Sequence, residues 1–378
     1  MMDVKMYKKD MLALLEKLVN VDSGSNYKEG VDKVGNLLAE KFNELGFSVE
    51  RIKQETFGDH LRIRCGQGTK STILIVAHMD TVFKEGTAKK RPFSIVGERA
   101  YGPGVIDMKA SLVSVLYAFT ALKKAGSEQY RNVEILITSD EEIGSPTSKA
   151  LIEQAAKGKR YALVMEPARK DGSLVTERRG NGRFTLVVKG QAAHSGIEPE
   201  KGRSAIEELA YKIVKLHRLN DLDQGISINV GKIEGGDAVN TISPRAVGYI
   251  DVRVSTSEQA VAVEQKIEEV CATSDVKGTK IELHGHMKRP PMKKDQQIEE
   301  LLQIVQEVGR EMGLDLKDTA TGGGSDASFT AAMGVATIDG LGPIGGNAHS
   351  EKEYLEIPSL TERTLLLAKI IERLGDEK

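Results

Sequence analysis

Ser71-Thr-Ile-Leu-Ile-Val-Ala-His-Met-Asp-Thr-Val82 is the stretch from which the rest of the chain can be read. Ile73 to Ala77 is a short apolar, β-branched run, the pattern of a buried strand. His78 and Asp80 follow it, two positions apart, so an extended backbone points both side chains the same way. A neutral imidazole is a metal ligand, and a carboxylate beside it can orient the ring. Alone, His-x-Asp is a weak motif that a loop histidine also satisfies. Its weight comes from what happens at the ends of two later strands.

Val133 to Ser139 is a second apolar run and ends in Asp140-Glu141-Glu142-Ile-Gly144. Tyr161 to Met165 is a third and ends in Glu166-Pro167. Helical spacing separates them, over Met108 to Ala125 and Pro146 to Ala156. Upstream, Met6 to Asn20 and Tyr27 to Leu45 read as helices, the second capped by Gly46. Phe47 to Lys53 and Leu61 to Cys65 read as strands, Lys84 to Arg91 as a polar loop and Tyr101 to Asp107 as a glycine-rich turn. Strands alternating with helices predict an α/β fold with a mostly parallel mixed sheet between helices. Three strand ends then deliver histidine or carboxylate just past their C-terminal ends, where open α/β sheets place their sites.

Near Glu177 the pattern changes. Arg183 to Lys189 alternates, Arg203 to Leu216 is amphipathic, and Ile226 to Ile233 and Ala246 to Val254 alternate again. A helix over Ser257 to Cys271 and a strand over Lys280 to His284 complete β-α-β-β-α-β, the ferredoxin-like split unit. The α/β pattern resumes with a helix at Ile298 to Met312, a strand at Val335 to Ile338 and a closing helix at Ser359 to Leu374. The expected organisation is a discontinuous catalytic domain, 1–178 and 290–378, with an inserted domain at 179–289.

Composition narrows the function classes. Lys and Arg number 53 against 55 Asp and Glu, which gives no global pull toward nucleic acid or anionic membrane. Cys65 and Cys271 are far apart, so neither a disulfide framework nor a thiolate zinc site is expected, and a cytoplasmic location fits. No uninterrupted apolar run approaches the ~18 residues of a membrane span, and the N-terminus has no signal-peptide pattern.

Several motifs carry chemistry. Gly102-Pro-Gly-Val-Ile-Asp107 is a near miss to the dinucleotide fingerprint, but Asp107 would aim a carboxylate at the pyrophosphate. The same glycines bring that carboxylate, and the start of the next helix, close to a site. Asp140-Glu141-Glu142 is a solvated acidic turn or a metal site, because a divalent cation relieves the repulsion and frees one carboxylate to act as base. His349 sits in a glycine-bearing loop, Gly345 to Glu351. Thr321-Gly-Gly-Gly-Ser-Asp326, with Gly323 at its centre, is a flexible turn or a nest of amide donors; no Lys-Ser/Thr follows, so it is not a phosphate loop of the Walker type. His78, His349, Asp80, Asp107, Glu141, Glu142 and Glu166 thus fall at strand ends or glycine turns of one domain. Imidazole and oxygen without thiolate suit zinc, manganese or cobalt, and one bridging carboxylate suits a two-metal site.

AHMDTV, GPGVIDMKAS, TSDEEIGS, VMEPA, AHSG, TGGGSDAS and AHSEKEYLEI occur in the order of one family. They resemble the co-catalytic zinc aminoacylases and exopeptidases, among them acetylornithine deacetylase, succinyl-diaminopimelate desuccinylase and carboxypeptidase G. TGGGSDAS and Lys288-Arg-Pro-Pro291 look most like the carboxypeptidase G, or glutamate carboxypeptidase, branch. The resemblance implies two zinc ions per subunit: His78 and Glu166 on one, Glu142 and His349 on the other, Asp107 between them. It implies Glu141 as general base, Asp80 as the partner of His78, and a homodimer formed by the inserted lid domain, whose His194 reaches a neighbouring active site. Asn240, Arg289 and Gly323 match the substrate-binding positions. The substrate implied is a small peptide or an N-acyl amino acid, with no nucleic acid or membrane partner. An N-acyl amino acid deacylase, a di- or tripeptidase, a non-catalytic metal-binding homologue and, more distantly, a kinase using the glycine loop are the competing expectations.

Overall fold

The computed structural model describes residues 2–66 and 71–376. Two compact units emerge. The first runs to Glu177, resumes over Lys294–Ala320 and resumes again from Ser325; the second is Arg178–Lys293 with Thr321–Gly324.

The first unit is built on a six-stranded sheet. Its spatial order is Ser48–Ile52, His60–Arg64, Val133–Thr138, Ile73–His78, Tyr161–Val164, Ala336–Ile338. The last four run parallel, and the first two form an antiparallel edge. Every residue of the four parallel strands is buried, as expected of strands covered on both faces. Among the described residues, seven helices of six or more residues accompany this sheet: Lys8–Val19, Lys28–Glu44, Ala110–Lys124, Lys149–Ala156, Gln296–Glu311, Ala327–Ala332 and Ile357–Asp376. Gly46 does end the second of these. Its amide bonds to Asn43 O at 2.8 Å and that of Phe47 to Phe42 O at 3.0 Å, a Schellman closure that needs the φ of +79° at Gly46. The turn drives Phe47 into an edge-to-face contact with Phe119, centroids 5.3 Å apart.

Val105–Lys124 reaches a mean hydropathy of 1.5, enough by length and composition to match a membrane span, although its apolar residues are interrupted. With 83% of its most apolar 18-residue window buried, it is the core helix of this unit. Asp107 and Met108 have non-helical backbone angles, so the helix starts at Ala110 and not at Met108. The loop expected at Lys84 to Arg91 holds a short helix, Thr87–Lys90.

The second unit is one antiparallel sheet in the order Ser227–Gly235, Arg245–Val254, Gly180–Lys189, Lys280–Arg289, with helices Ala205–His217 and Ser257–Ala272. Numbered along the chain, that order is 2-3-1-4, the ferredoxin-like arrangement. Ser204 caps the first helix by accepting the Glu207 amide, and Thr256 and Gln259 form a capping box on the second. The last strand continues five residues beyond His284. Its Gly285-His286-Met287 segment lacks alternation but stays paired through the backbone to Phe184, Arg183 and Gly182. Thr321–Gly324 groups with this unit because Arg178 donates to Gly323 O at 3.0 Å and Arg253 to Gly322 O at 3.2 Å.

Four strands of two or three residues were too short to show a period. Gly345–Gly346, Tyr354–Glu356, Arg99–Tyr101 and Ser94–Val96 form a small sheet in the first unit. They matter because two site loops hang from them.

One buried charge anchors the far end of the parallel sheet. Glu134 is 3% exposed and takes Lys159 Nζ at 2.7 Å, Arg64 at 2.9 Å and Arg62 at 3.1 Å. Burial opposes its ionised form, but Lys159 and Arg64 hold its pKa below the ordinary value. Glu134→Ala leaves those cations without their partner and is expected to cost about 3 kcal/mol in urea unfolding.

Candidate metal centre

Three adjacent parallel strands end in register, His78 opposite Thr138 and Val76 opposite Val164. The central strand finishes on His78. One neighbour leads into the Glu141–Ile143 turn, the other into Glu166. Identical strand direction therefore delivers an imidazole and three carboxylates to one edge of the sheet. The small sheet supplies the rest: Arg99–Tyr101 leads into the Gly102 to Asp107 turn, and Gly345–Gly346 leads into the loop of His349. The Asp107–Met108 peptide bond is cis.

These five side chains meet in two overlapping groups that share Asp107: His78, Asp107, Glu166 and Asp107, Glu142, His349. His78 Nε2 lies 3.3 Å from Asp107 Oδ1 and 3.7 Å from Glu166 Oε1. His349 Nε2 lies 3.2 Å from Asp107 Oδ2 and 3.2 Å from Glu142 Oε2. One carboxylate thus turns one oxygen to each group. His349 stands at φ +64°, left-handed backbone that a non-glycine residue rarely takes without tertiary support.

The donor set fits divalent cations. His78 Nε2, Asp107 Oδ1 and Glu142 Oε1 are buried and make no hydrogen bond to protein. Buried polar atoms are normally paired, and unpaired ones in both groups call for a ligand that accepts lone pairs. Protonation directions say the same. Burial pushes Glu142 and Glu166 above the ordinary carboxylate range, with Asp107 adding repulsion. Burial opposes charge on His78, but Asp107 and Asp80 beside it raise it well above its usual value. Asp107 and Glu142 raise His349 to about 11, and the two imidazoles in turn hold Asp107 well below the usual range despite its burial. A cluster that holds protons this tightly is a cluster short of positive charge.

Asp80 ties the site together. The His78 Nδ1 is 2.9 Å from Asp80 O and 3.4 Å from its Oδ1. The same carboxylate accepts the amides of Glu141 at 3.2 Å and Glu142 at 3.1 Å, and Ser25 Oγ at 2.7 Å. Only the first of these jobs was expected of Asp80.

Sequence reasoning also missed the support beneath the acidic turn. Asp140 is no ligand: its oxygens accept Thr147 N at 2.6 Å, Thr147 Oγ1 at 2.7 Å and Ser148 Oγ at 2.5 Å. Ser145, at φ +59°, donates to buried Asp326 of the glycine-loop motif. His60, fully buried, receives the Ser139 amide on Nδ1 at 3.2 Å, so Nε2 carries the hydrogen and faces Thr147 Oγ1 at 3.0 Å. Hydroxyl-rich segments around acidic residues were the available signal, but many turns share it.

The remaining sequence-predicted residues lie in the second unit, in two places. His194 is exposed, bridges to Thr241, and accepts the Gly196 amide on Nδ1 at 3.1 Å; Asn240, also exposed, accepts the Ser195 amide at 3.0 Å. Arg289 is buried, its side chain lying against Gly324, where a Cβ would come 3.0 Å from Arg289 Cδ. Gly323 gives its amide to Thr321 Oγ1 at 3.4 Å and its carbonyl to Arg178, so this turn is gripped largely by its carbonyls and is not an open nest of donors.

Residues 74–373 match the profile of peptidase family M20/M25/M40. The chain belongs to this family. As an M20 peptidase it is a hydrolase, and its relatives span several specificities. It is 31% identical to carboxypeptidase G2 of Pseudomonas sp. (strain RS-16), over 97% of this chain and 90% of that protein. It is 27% identical to the succinyl-diaminopimelate desuccinylase of Thioalkalivibrio sulfidiphilus, over 97% of this chain and 99% of the other. The aminopeptidase PepT of Bacillus cereus has the same fold, with a TM-score of 0.78 at 24% identity, covering 98% of this chain and 99% of that one.

The His60 arrangement has a pH signature. Burial outweighs the pull of Asp140 and Asp80 and holds its pKa below the ordinary 6.5. The unfolded chain therefore binds the proton first, and the stability His60 contributes is complete above about pH 6.5 and lost as pH falls through the lower folded-state value. The stability difference between the unmodified M20 peptidase and His60→Gln, from urea unfolding, should shrink between pH 7.5 and 5.

Proposed function

We propose that this M20 peptidase is a two-zinc hydrolase that cleaves an amide or peptide bond next to a free C-terminal carboxylate, in the manner of a glutamate carboxypeptidase. The observation that carries the reading is Asp107, shared between two imidazole-carboxylate groups, with Glu141 beside them on the turn held by Asp80. The similarity to carboxypeptidase G2 along nearly the whole chain supports the substrate class.

His78 and Glu166 would hold one ion and Glu142 and His349 the other, with Asp107 between; a nitrogen and oxygen donor set accepts zinc, cobalt or manganese. Bound there, such ions lower the pKa of water and polarise a carbonyl. Glu141 is the proton carrier: it takes a proton from the attacking water and returns it to the departing amine nitrogen. Asp80 fixes the ring of His78 and keeps Glu141 in place through its amide. His194, beside Asn240, donates a hydrogen bond to the developing oxyanion of a neighbouring subunit's site. Arg289 grips the substrate carboxylate with two parallel hydrogen bonds, steadied by the Gly323 turn, while Asn240, like His194, reaches that substrate from the neighbouring subunit. Retention of Glu141 argues against a non-catalytic homologue. The desuccinylase relative supports a second reading, an N-acyl amino acid deacylase using the same metal chemistry.

The active form we propose is a homodimer through the second unit. Ile206, Tyr211 and Val214 are 47%, 48% and 51% exposed on helix Ala205–His217, which packs on the edge strand Ser227–Gly235. An apolar helix face next to an open strand edge is a surface suited to a second copy of itself.

Glu141→Gln should retain two metal equivalents by elemental analysis and lower kcat at least about a hundredfold. Loss of metal with modest loss of rate would exchange the roles of Glu141 and Glu142.

Against paired substrates ending in a free acid or its amide, the unmodified enzyme should strongly prefer the acid. Arg289→Lys should lose most of that preference, through kcat/KM, with metal content unchanged. Equal cleavage of acid and amide would remove the carboxypeptidase reading and leave the hydrolase intact.

A further inference from the structure

Glu353 lies four residues beyond His349 and is 1% exposed. Its Oε2 accepts the Gly104 amide at 3.0 Å, and its Oε1 accepts the amides of Ile106 at 2.9 Å and Asp107 at 3.1 Å. We infer that Glu353 is the positioning residue of the metal centre: by gripping three amides of the Gly104 to Asp107 turn, it sets the shared carboxylate for both ions and couples it to His349. This rests on the two-ion reading above.

The turn's own backbone bonds, Val105 N to Gly102 O at 3.2 Å and Lys109 N to Gly104 O at 3.0 Å, use other amides than those of Gly104, Ile106 and Asp107. Gly104 sits at φ +72°, and a Cβ there would come within 2.5 Å of Thr81 Cγ2. Asp107 leaves the turn at φ −116°, ψ +93°, outside helical geometry, so the following helix does not supply its amide with a partner. Three donors, two of them buried and that of Asp107 partly so, therefore converge where the two oxygens of one carboxylate serve all of them. Glu353 is also one end of a hydrogen-bonded loop that carries His349. Ser350 Oγ donates to Asn347 O at 2.7 Å, the Lys352 amide to Ser350 Oγ at 3.2 Å, and the Glu353 amide to Ser350 O at 3.3 Å. A shift of Glu353 would thus move Asp107 and His349, two of the three ligands of the second group, and only one of the three in the first.

The contrast with Glu134 separates positioning from mere burial. Both are nearly inaccessible carboxylates, but Glu134 is held by Lys and Arg side chains at the opposite end of its strand from the acidic turn.

Glu353→Gln keeps the size and replaces one acceptor oxygen by an amide that faces a backbone donor. Partners of this kind typically change metal affinity about 10- to 100-fold. Zinc titration against a competing chromophoric chelator should show the first equivalent within about threefold of the unmodified protein and the second weakened at least tenfold, with excess zinc restoring most of kcat. Glu353→Asp, one methylene short, should behave the same way, and Glu134→Gln should lower the melting temperature with both equivalents unchanged. Two equivalents bound by Glu353→Gln as tightly as by the unmodified protein would overturn the inference alone. Fewer than two equivalents in the unmodified protein would overturn the two-ion reading and the inference with it. Should the Glu353 variants not fold, hydrogen exchange of the unmodified, chelator-treated protein decides: protected amides at 104–107 support the clamp, and free exchange there refutes it.

Discussion

Three carboxylates and two imidazoles compete for one small volume at the edge of the parallel sheet, and that crowding is the constraint to which the rest of the structure responds. Asp107, Glu142 and Glu166 cannot all be ionised and dry beside one another without a compensating charge. A rigid frame must hold them together in spite of their repulsion. The parallel strands provide it: a fully hydrogen-bonded, doubly covered sheet fixes the origins of His78, the Glu141–Glu142 turn and Glu166 independently of the charges they bear.

The frame is completed mostly by backbone amides and hydroxyls. Asp80 takes the amides of Glu141 and Glu142, Asp140 the amides of Thr147 and Ser148, and Asp326 the hydroxyl of Ser145. Neutral donors of this kind satisfy an anion without offering a positive charge that would compete with a bound cation. Lysine and arginine pair with buried Glu134 at the other end of the same strand, where no cation has to bind. The division of labour follows from electrostatics: a fixed ammonium beside Glu142 would weaken the site it supported.

This division also explains what the sequence made legible. Long buried strands announce themselves through uninterrupted β-branched runs, and their acidic or histidine termini stand out because apolar neighbours make them conspicuous. His78, Glu141, Glu142 and Glu166 were singled out that way. Asp107 and His349 were singled out from glycines that let the backbone pass close. The supporting residues have no such contrast. Asp80 was credited with one bond and makes four, and His60 and Ser145 look like ordinary loop residues, because their importance lies in which distant group they meet. The small sheet of two- and three-residue strands was illegible for a different reason: a period of two needs more residues than it has. In the second unit, alternation marked the first three strands, but the last was cut short where glycine and histidine replaced the apolar residues although the ladder continued.

The metal centre constrains the reaction class far more tightly than the substrate. Every amide-cleaving member of such a fold faces the same demand at the reacting carbon: an activated water, a polarised carbonyl and a proton for the departing nitrogen. The five proposed ligands and the proposed base, Glu141, would meet that demand whether the acyl group is a peptide or a succinyl. Discrimination must come from groups that touch the substrate away from the scissile bond, and their binding energy can accelerate one substrate over another only where it is expressed at the transition state. On this chain the residues proposed for that role belong to the second unit, whose sheet and helices carry none of the five ligands. On that proposal the two tasks rest on different apolar cores, and substitutions that retune the acyl or carboxylate preference could accumulate around one without disturbing the charge balance that the other was built to hold.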